Sequence, residues 1–327
     1  MISRFTKEAL ALDAAAEADR IVSSTREQVL VTLRRRGVVV GLSGGIDSSV
    51  VASLCVRAFG KDKVLGIFMP ERDSSGDSLR LGRVIAAQLG IDTLVEDIAP
   101  ALDAIGAYRR QIEAIRAVVP EYGEGWKCKL VLTSVLESQG LNITRLTVQA
   151  PDGQTNTVRL PLTAYLQIVA ATNYKQRIRK MTEYYHADRL GYAVAGTPNR
   201  LEYDQGFFVK QGDGIADVMP IVHLYKTQVY QLADYLGVDE EIRRRPPTTD
   251  TFSMAQSQEE FYFALPYHLT DLCLYGINHG LCADEVAAVA GLTGGQVEKV
   301  FKDIEAKRRA ARYLHARPLP SVPMDVD

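Results

Sequence analysis

The residue types of an anion site occur together in one short stretch. Val38-Val39-Val40-Gly41-Leu42 is followed at once by Ser43-Gly44-Gly45-Ile46-Asp47-Ser48-Ser49. Glycines at 41, 44 and 45 let the backbone turn tightly and come close to a ligand, and Ser43, Ser48 and Ser49 add hydroxyl donors. A helix predicted over 50–59 would point its N-terminus at the same place. Phosphate is the ligand this arrangement suits, although the G-K-[ST] ending of a Walker A loop is missing. Asp47 would repel a bare phosphate, so its fitting role is to hold Mg²⁺ that bridges phosphate oxygens. The bland alternative, an ordinary strand-to-helix turn, leaves the coincidence of glycines, serines and aspartate unexplained.

The flanking pattern shows what positions this loop. Apolar positions at helical spacing predict an amphipathic helix from residue 7 to about 35, ended by Gly37. Strands are predicted at 38–42, 64–69 and 93–98, and helices at 50–59, 79–89 and 101–118. A further strand at 192–195 runs into Gly196-Thr197, and 228–236 reads as a helix. Strands separated by helices imply right-handed crossovers and a parallel, doubly wound α/β sheet of Rossmann-like type, with ligands outside the carboxyl ends of the strands. The pattern changes between 121 and 165. There the sequence suggests an inserted helix over 130–136 and a β-hairpin from 142–148 and 157–160, turning at Pro151-Asp152-Gly153. The expected organisation is an N-terminal helix (1–36), a nucleotide-binding domain (37–315) that carries the insertion, and a loose tail (316–327) with Pro318, Pro320 and Pro323.

Composition narrows the function. With 38 Lys+Arg against 40 Asp+Glu, the formal charge of −2 argues against a nucleic-acid binder held by electrostatics. Cys55, Cys128, Cys273 and Cys282 form no C-x-x-C pair, which speaks against a disulfide framework and a zinc site. Asp13, Glu17 and Asp19 interrupt any signal-peptide core, and there is no membrane-length apolar run, so the expected location is cytoplasmic.

Ser43-Gly44-Gly45-Ile46-Asp47-Ser48 resembles the loop of the ATP-pyrophosphatase superfamily, whose enzymes cleave ATP between the α and β phosphates to adenylate a substrate. NAD, GMP, asparagine and argininosuccinate synthetases and tRNA-thiolating enzymes share it. The second half of the chain is more specific. Gly196-Thr197, Glu202, the stretch Gly206-Phe207-Phe208-Val209-Lys210-Gln211-Gly212-Asp213-Gly214, Asp217, Pro220 and Leu224-Tyr225-Lys226 are similar to the long motif of ammonia-dependent NAD synthetases. Asn173-Tyr174-Lys175-Gln176-Arg177-Ile178-Arg179 resembles the N-x-x-x-R-x-R helix of that family. Pro246-Pro247-Thr248-Thr249-Asp250 resembles its mobile loop.

The resemblance implies an adenine nucleotide alpha-hydrolase type of fold and a two-step reaction. The nicotinate carboxylate of deamido-NAD attacks the α-phosphorus of ATP, and ammonia then displaces AMP to leave NAD. Carried over by position, Gly41, Leu42, Ser43, Gly44, Gly45, Ile46, Asp47, Ser48, Thr197, Lys226 and Thr248 would bind ATP, and Asp47 and Glu202 would hold Mg²⁺. Asn173, Arg177, Lys210, Asp217 and Lys307 would contact deamido-NAD, with Asp213 beside the incoming ammonium. Asp47, Asp213 and Lys226 would carry the catalysis. Ala306 stands before Lys307 where the family has histidine, which puts that contact in question. Taken alone, Glu202, Lys210 and the basic stretch 173–179 could be solvated charges.

The resemblance also implies a homodimer built on the 173–179 helix. No stretch matches a glutaminase domain, so free ammonia, or ammonia from a separate glutaminase, is the expected nitrogen source. Two alternatives stay open: a paralogue that amidates another carboxylic acid, and a non-catalytic ATP-binding regulator.

Overall fold

The computed structural model describes residues 5–132, 144–248, 251–263 and 265–322. The N-terminal region forms a short turn at Lys7–Leu10 and then α1 (Ala14–Glu27), so the helix begins later than its apolar period suggests. The cause is Asp13, whose carboxylate accepts the Ala16 N–H at 3.1 Å and caps the helix there. Next come β1 (Val38–Gly41), α2 (Ile46–Phe59), β2 (Val64–Phe68), α3 (Gly76–Leu89) and β3 (Asp92–Val95). The single helix expected over 101–118 is two, α4 (Ala99–Ala104) and α5 (Ala107–Arg116), because Gly106 adopts a left-handed φ of 70° between them.

The inserted region differs from expectation. Residues 127–131, read in part as helix, form strand β4 (Lys127–Val131), which pairs antiparallel with β5 (Arg145–Gln149), which in turn pairs with β6 (Thr155–Arg159). Cys128 and Leu130 point into a core while Lys127 and Lys129 point away, a two-residue alternation too short to outweigh the apolar run after it. The hairpin expected around Pro151-Asp152-Gly153 is present as β5 and β6. The remainder of the expected helix and the start of the expected hairpin, 133–143, lie outside the described residues.

The chain continues through α6 (Leu162–Leu190), β7 (Ala193–Ala195), α7 (Arg200–Gln205), α8 (Lys226–Tyr235) and α9 (Glu240–Arg244). It ends in three packed helices, α10 (Tyr267–Asn278), α11 (Ala283–Ala290) and α12 (Gly294–His315). The main sheet is parallel in the order β3-β2-β1-β7. Strands β1, β2 and β7 are buried on both faces, as a doubly wound sheet requires, while edge strand β3 is largely exposed. Val38 and Val40 face a core shared with α1, α2 and α8, whereas Val39 faces a second core shared with α6. Both β1 and β7 deliver their carboxyl ends to the same side, which brings the loops after Gly41 and Ala195 together.

The inserted sheet has its own core, in which Leu146 lies between Leu130 and Val158 and is fully buried. Leu146→Ala should leave a cavity and cost about 2–5 kcal/mol, read as a lower midpoint in urea unfolding. A loss under about 0.5 kcal/mol would mean that this core contributes little.

Candidate active site

The loop after β1 is built as a nest. Gly44 has φ of 72°, and a Cβ there would lie 2.3 Å from the Ser78 carbonyl oxygen, so any side chain would push the loop off α3. A Cβ on Gly41 would meet the Glu183 carboxylate at 2.7 Å. The serines are less free than their number suggests. Ser48 and Ser49 hydroxyls both donate to the Gly45 carbonyl, at 3.1 and 2.8 Å, and fix the first turn of α2. Ligand donors are therefore mainly backbone amides at the α2 N-terminus.

Three helix N-termini converge on Asp47. From the start of α8, Lys226 forms a short ion pair with its Oδ2, and Asn199 Nδ2 donates to its Oδ1 at 3.0 Å. Asn199 is itself fully buried and caps α7 in a reciprocal box: its Oδ1 accepts the Glu202 N–H at 3.1 Å, and Glu202 Oε2 accepts the Asn199 N–H at 3.1 Å. One capping box thus orients both carboxylates. Asn199 was missed in the sequence, where the N-x-x-E spacing before Glu202 signals it.

Burial would depress the Lys226 ammonium, but Asp47 and Glu202 outweigh it and hold its pKa above the ordinary value. The Glu202 carboxyl is pushed well up, first by burial and then by Asp47, against the pull of Lys226. Lys226 offsets only one of the two carboxylates, so ionising Glu202 is unfavourable until a further cation arrives, a demand that a divalent cation meets. Among the described residues, no cluster of three or more His, Cys, Asp or Glu side chains forms a complete metal cage. Mg²⁺ does not require one, since it keeps waters and takes one or two carboxylates together with phosphate oxygens.

These groups open on a cleft of about 830 Å³. Gly41, Leu42, Ser43, Gly45, Ile46, Asp47 and Ser48 line one end, with Thr197, Glu202 and Thr248. Asn173, Asp213 and Lys307 also line it. Asp213 Oδ1 accepts the Val209 N–H at 2.6 Å, and burial pushes its carboxyl up, opposed by the Val209 bond, Lys180 and Arg179. Lys307 donates to the Tyr262 carbonyl at 2.8 Å and pairs with Asp303, while burial lowers its pKa. Leu130 and Leu132 of the insertion also line the cleft.

The other expected residues lie elsewhere. Gly44 is behind the loop against α3, and Lys226 is buried beneath Asp47 with the Tyr267 ring 5.5 Å away. Arg177 and Lys210 are outside the cleft wall, where Arg177 Nε donates to the Lys210 carbonyl at 3.2 Å and Lys210 Nζ to the Tyr313 carbonyl at 2.8 Å. Asp217 ties β7 down by accepting the Val194 N–H at 2.7 Å and the Tyr184 hydroxyl at 3.4 Å. Thr249 and Asp250 fall outside the described residues.

A parallel sheet with flanking helices and an amide nest after its first strand is an α/β fold of the adenine nucleotide alpha-hydrolase-like type. Two solved structures share this fold. One is an NMN synthetase from Francisella tularensis, at a TM-score of 0.61 and 21% identity, covering 95% of this chain and 100% of that one. The other is an NH3-dependent NAD synthetase from Campylobacter jejuni, at 0.61 and 22%, covering 94% and 99%. The NAD synthase family model matches residues 18–119 and 133–312, and the chain belongs to that family. An NH(3)-dependent NAD(+) synthetase of Mesorhizobium japonicum is 82% identical over 97% of this chain and 100% of its own length. The corresponding protein of Rhizobium meliloti is 60% identical over 96% and 94%.

One buried group behind the site gives a pH signature. Asp271 on α10 is fully buried; its Oδ2 accepts the Thr227 N–H at 2.7 Å, and its Oδ1 has no hydrogen-bond partner. Burial raises its pKa from 3.8 to about 6. The folded state therefore holds this proton more tightly than the unfolded chain. Its stabilising contribution is complete below about 3.8 and is lost as pH rises through about 6. Asp271→Asn, which cannot ionise, should lack a loss of roughly 3 kcal/mol across that window. Denaturant titrations at pH 4 and pH 7 should capture about 2 kcal/mol of it, and equal pH slopes in the two proteins would refute the assignment.

Proposed function

We propose that this protein catalyses the ATP-dependent amidation of deamido-NAD to NAD, with ammonia as nitrogen donor and AMP and pyrophosphate as products. Identity of 82% over full length with an NH(3)-dependent NAD(+) synthetase supports the reaction. The observation in the fold that carries it is the Asp47–Lys226–Glu202 assembly at the mouth of the amide nest.

The triphosphate would lie on the backbone amides of residues 43–48, at the positive end of α2. Asp47 and Glu202 would hold Mg²⁺, which when bound supplies charge neutralisation at the phosphoryl oxygens. Lys226, itself buried, pairs with the Asp47 carboxylate and aims it. The nicotinate carboxylate attacks the α-phosphorus and pyrophosphate leaves; ammonia then attacks the acyl carbon and AMP leaves. Asp213, a cleft-lining carboxyl whose pKa burial raises, would attract ammonium and accept its proton. Thr197, Thr248, Asn173 and Lys307 would bind the nucleotides inside the cleft. Contacts from Arg177, Lys210 and Asp217 require the dinucleotide to extend out of the cleft beside α6. Among the described residues no helix is long and apolar enough to cross a membrane, and the cytoplasm is the proposed location.

Purified protein supplied with ATP, deamido-NAD, Mg²⁺ and ammonium should form NAD and AMP in equal amounts. Asp47→Ala should lower turnover by roughly a hundredfold or more. Normal turnover in that variant would remove the metal assignment, and absence of NAD from the wild type would favour a different carboxylate substrate.

A homodimer through α6 is part of the same proposal. Leu162, Leu166, Met181 and Tyr185 stand 69%, 54%, 67% and 64% exposed on this helix, in i, i+4 pairs near its two ends. Light scattering should give twice the chain mass of 36.1 kDa, and Leu166→Glu with Met181→Glu should shift it toward the monomer. A monomeric wild type would contradict this interface.

A further inference from the structure

The stretch that contributes Arg245, Thr248, Thr251 and Phe252 to the cleft wall is held at its downstream end from two sides. From the inside, Lys175 Nζ on α6 donates to the Thr251 carbonyl at 2.8 Å, to Glu71 Oε1 at 3.0 Å and to Asp73 Oδ2 at 2.7 Å. Glu71 also accepts the Tyr108 hydroxyl at 3.0 Å. The Lys175 and Glu71 side chains are 3% and 0% exposed. Glu71 and Asp73 belong to the loop after β2, whose neighbours Pro70, Ser74 and Ser75 line the cleft. From the outside, edge strand β4 takes the same stretch onto its unpaired edge. The Cys128 N–H donates to Ser253 Oγ at 2.9 Å, the Met254 N–H to the Cys128 carbonyl at 3.1 Å, and Gln256 Nε2 to the Leu130 carbonyl. Lys129 pairs with Glu260 at 2.6 Å.

Buried ion clusters are poor sources of net stability, because desolvation offsets their attraction, but they fix geometry strictly. Lys175 joins three segments that are far apart in sequence at one ammonium group. We propose that Lys175 is a positioning residue that clamps the Thr251 stem to the rim of the nucleotide cleft, and that inserted strand β4 is the second jaw of this clamp. The inference rests on the reaction proposed above and assigns the insertion a role in it. An acyl adenylate is destroyed when water adds to its acyl carbon and the bond to the AMP oxygen breaks, which returns deamido-NAD, AMP and a proton. A fixed wall at 251–256 keeps that water out until ammonia arrives.

The test compares wild type with Lys175→Met, with Lys175→Met/Glu71→Gln/Asp73→Asn, and with Ser253→Ala/Gln256→Leu. The triple variant is needed because Lys175→Met alone strands two carboxylates and can fail to fold. AMP and NAD are measured at limiting ammonium, and amide hydrogen exchange is followed in peptide 251–263 without substrate. In folded variants AMP should exceed NAD by roughly twofold or more, against one to one in wild type. Peptide 251–263 should also exchange faster while β1 and α2 keep their protection. Folded variants that keep equal AMP and NAD, or wild-type exchange across 251–263, would overturn the clamp. A wild type that makes neither product would defeat the proposed reaction instead, and the exchange comparison would still decide the clamp.

Discussion

The contact on which the site depends is the Asp47 carboxylate held between Lys226 and Asn199. It joins the N-terminal ends of α2, α7 and α8, which follow different parts of the chain, at the carboxyl edge of one parallel sheet. Lys226 can be fully buried only because Asp47 and Glu202 face it, and removing either partner of such a pair leaves a costly uncompensated charge. The same pair therefore serves folding and chemistry. It packs three helix starts together, and it leaves the neighbouring Glu202 carboxyl without a full counter-charge, which suits a site that takes a cation together with a polyphosphate. Lys226 takes part from beneath rather than by lining the cleft.

Around this point the cleft is built from two sets of segments. The nest after β1 is fixed by glycine geometry and by serine hydroxyls turned inward on Gly45. Other lining comes from segments with no place in the parallel sheet: β4, Arg245 to Thr248 with Thr251 and Phe252, and α12 with Lys307. α6 contributes to the lining as well. Along it Asn173, Gln176 and Lys180 line the cleft, Leu162 and Leu166 stand exposed at nearly the same angle near its start, and Met181 and Tyr185 stand exposed about a quarter turn round the helix.

Local chemistry was legible in the sequence, and long-range geometry was not. The loop at 43–48 could be read because its glycines, serines and aspartate act within a few residues of one another. The parallel sheet followed from the alternation of buried runs with helical periods. Strand β4 was misread because its alternation spans only a few residues before an apolar run. The net charge of −2 argued against a nucleic-acid binder but says nothing of the cleft, which depends on oriented amides and on where charges are placed, and a sum cannot express that. Asn199 carried a capping signal three residues before Glu202. The Lys175 cluster carried none, since its partner Glu71 lies 104 residues away and only the packing of α6 on α5 and the β2 loop brings them together.

The central claim is that this site directs a carboxylate oxygen onto the α-phosphorus of ATP. Deamido-NAD labelled with ¹⁸O in its nicotinate carboxylate tests it directly. Formation of the acyl adenylate followed by amidation should leave one labelled oxygen in the phosphate of each AMP, with none in pyrophosphate. Label found in inorganic phosphate or pyrophosphate, or unlabelled AMP alongside NAD, would contradict the account.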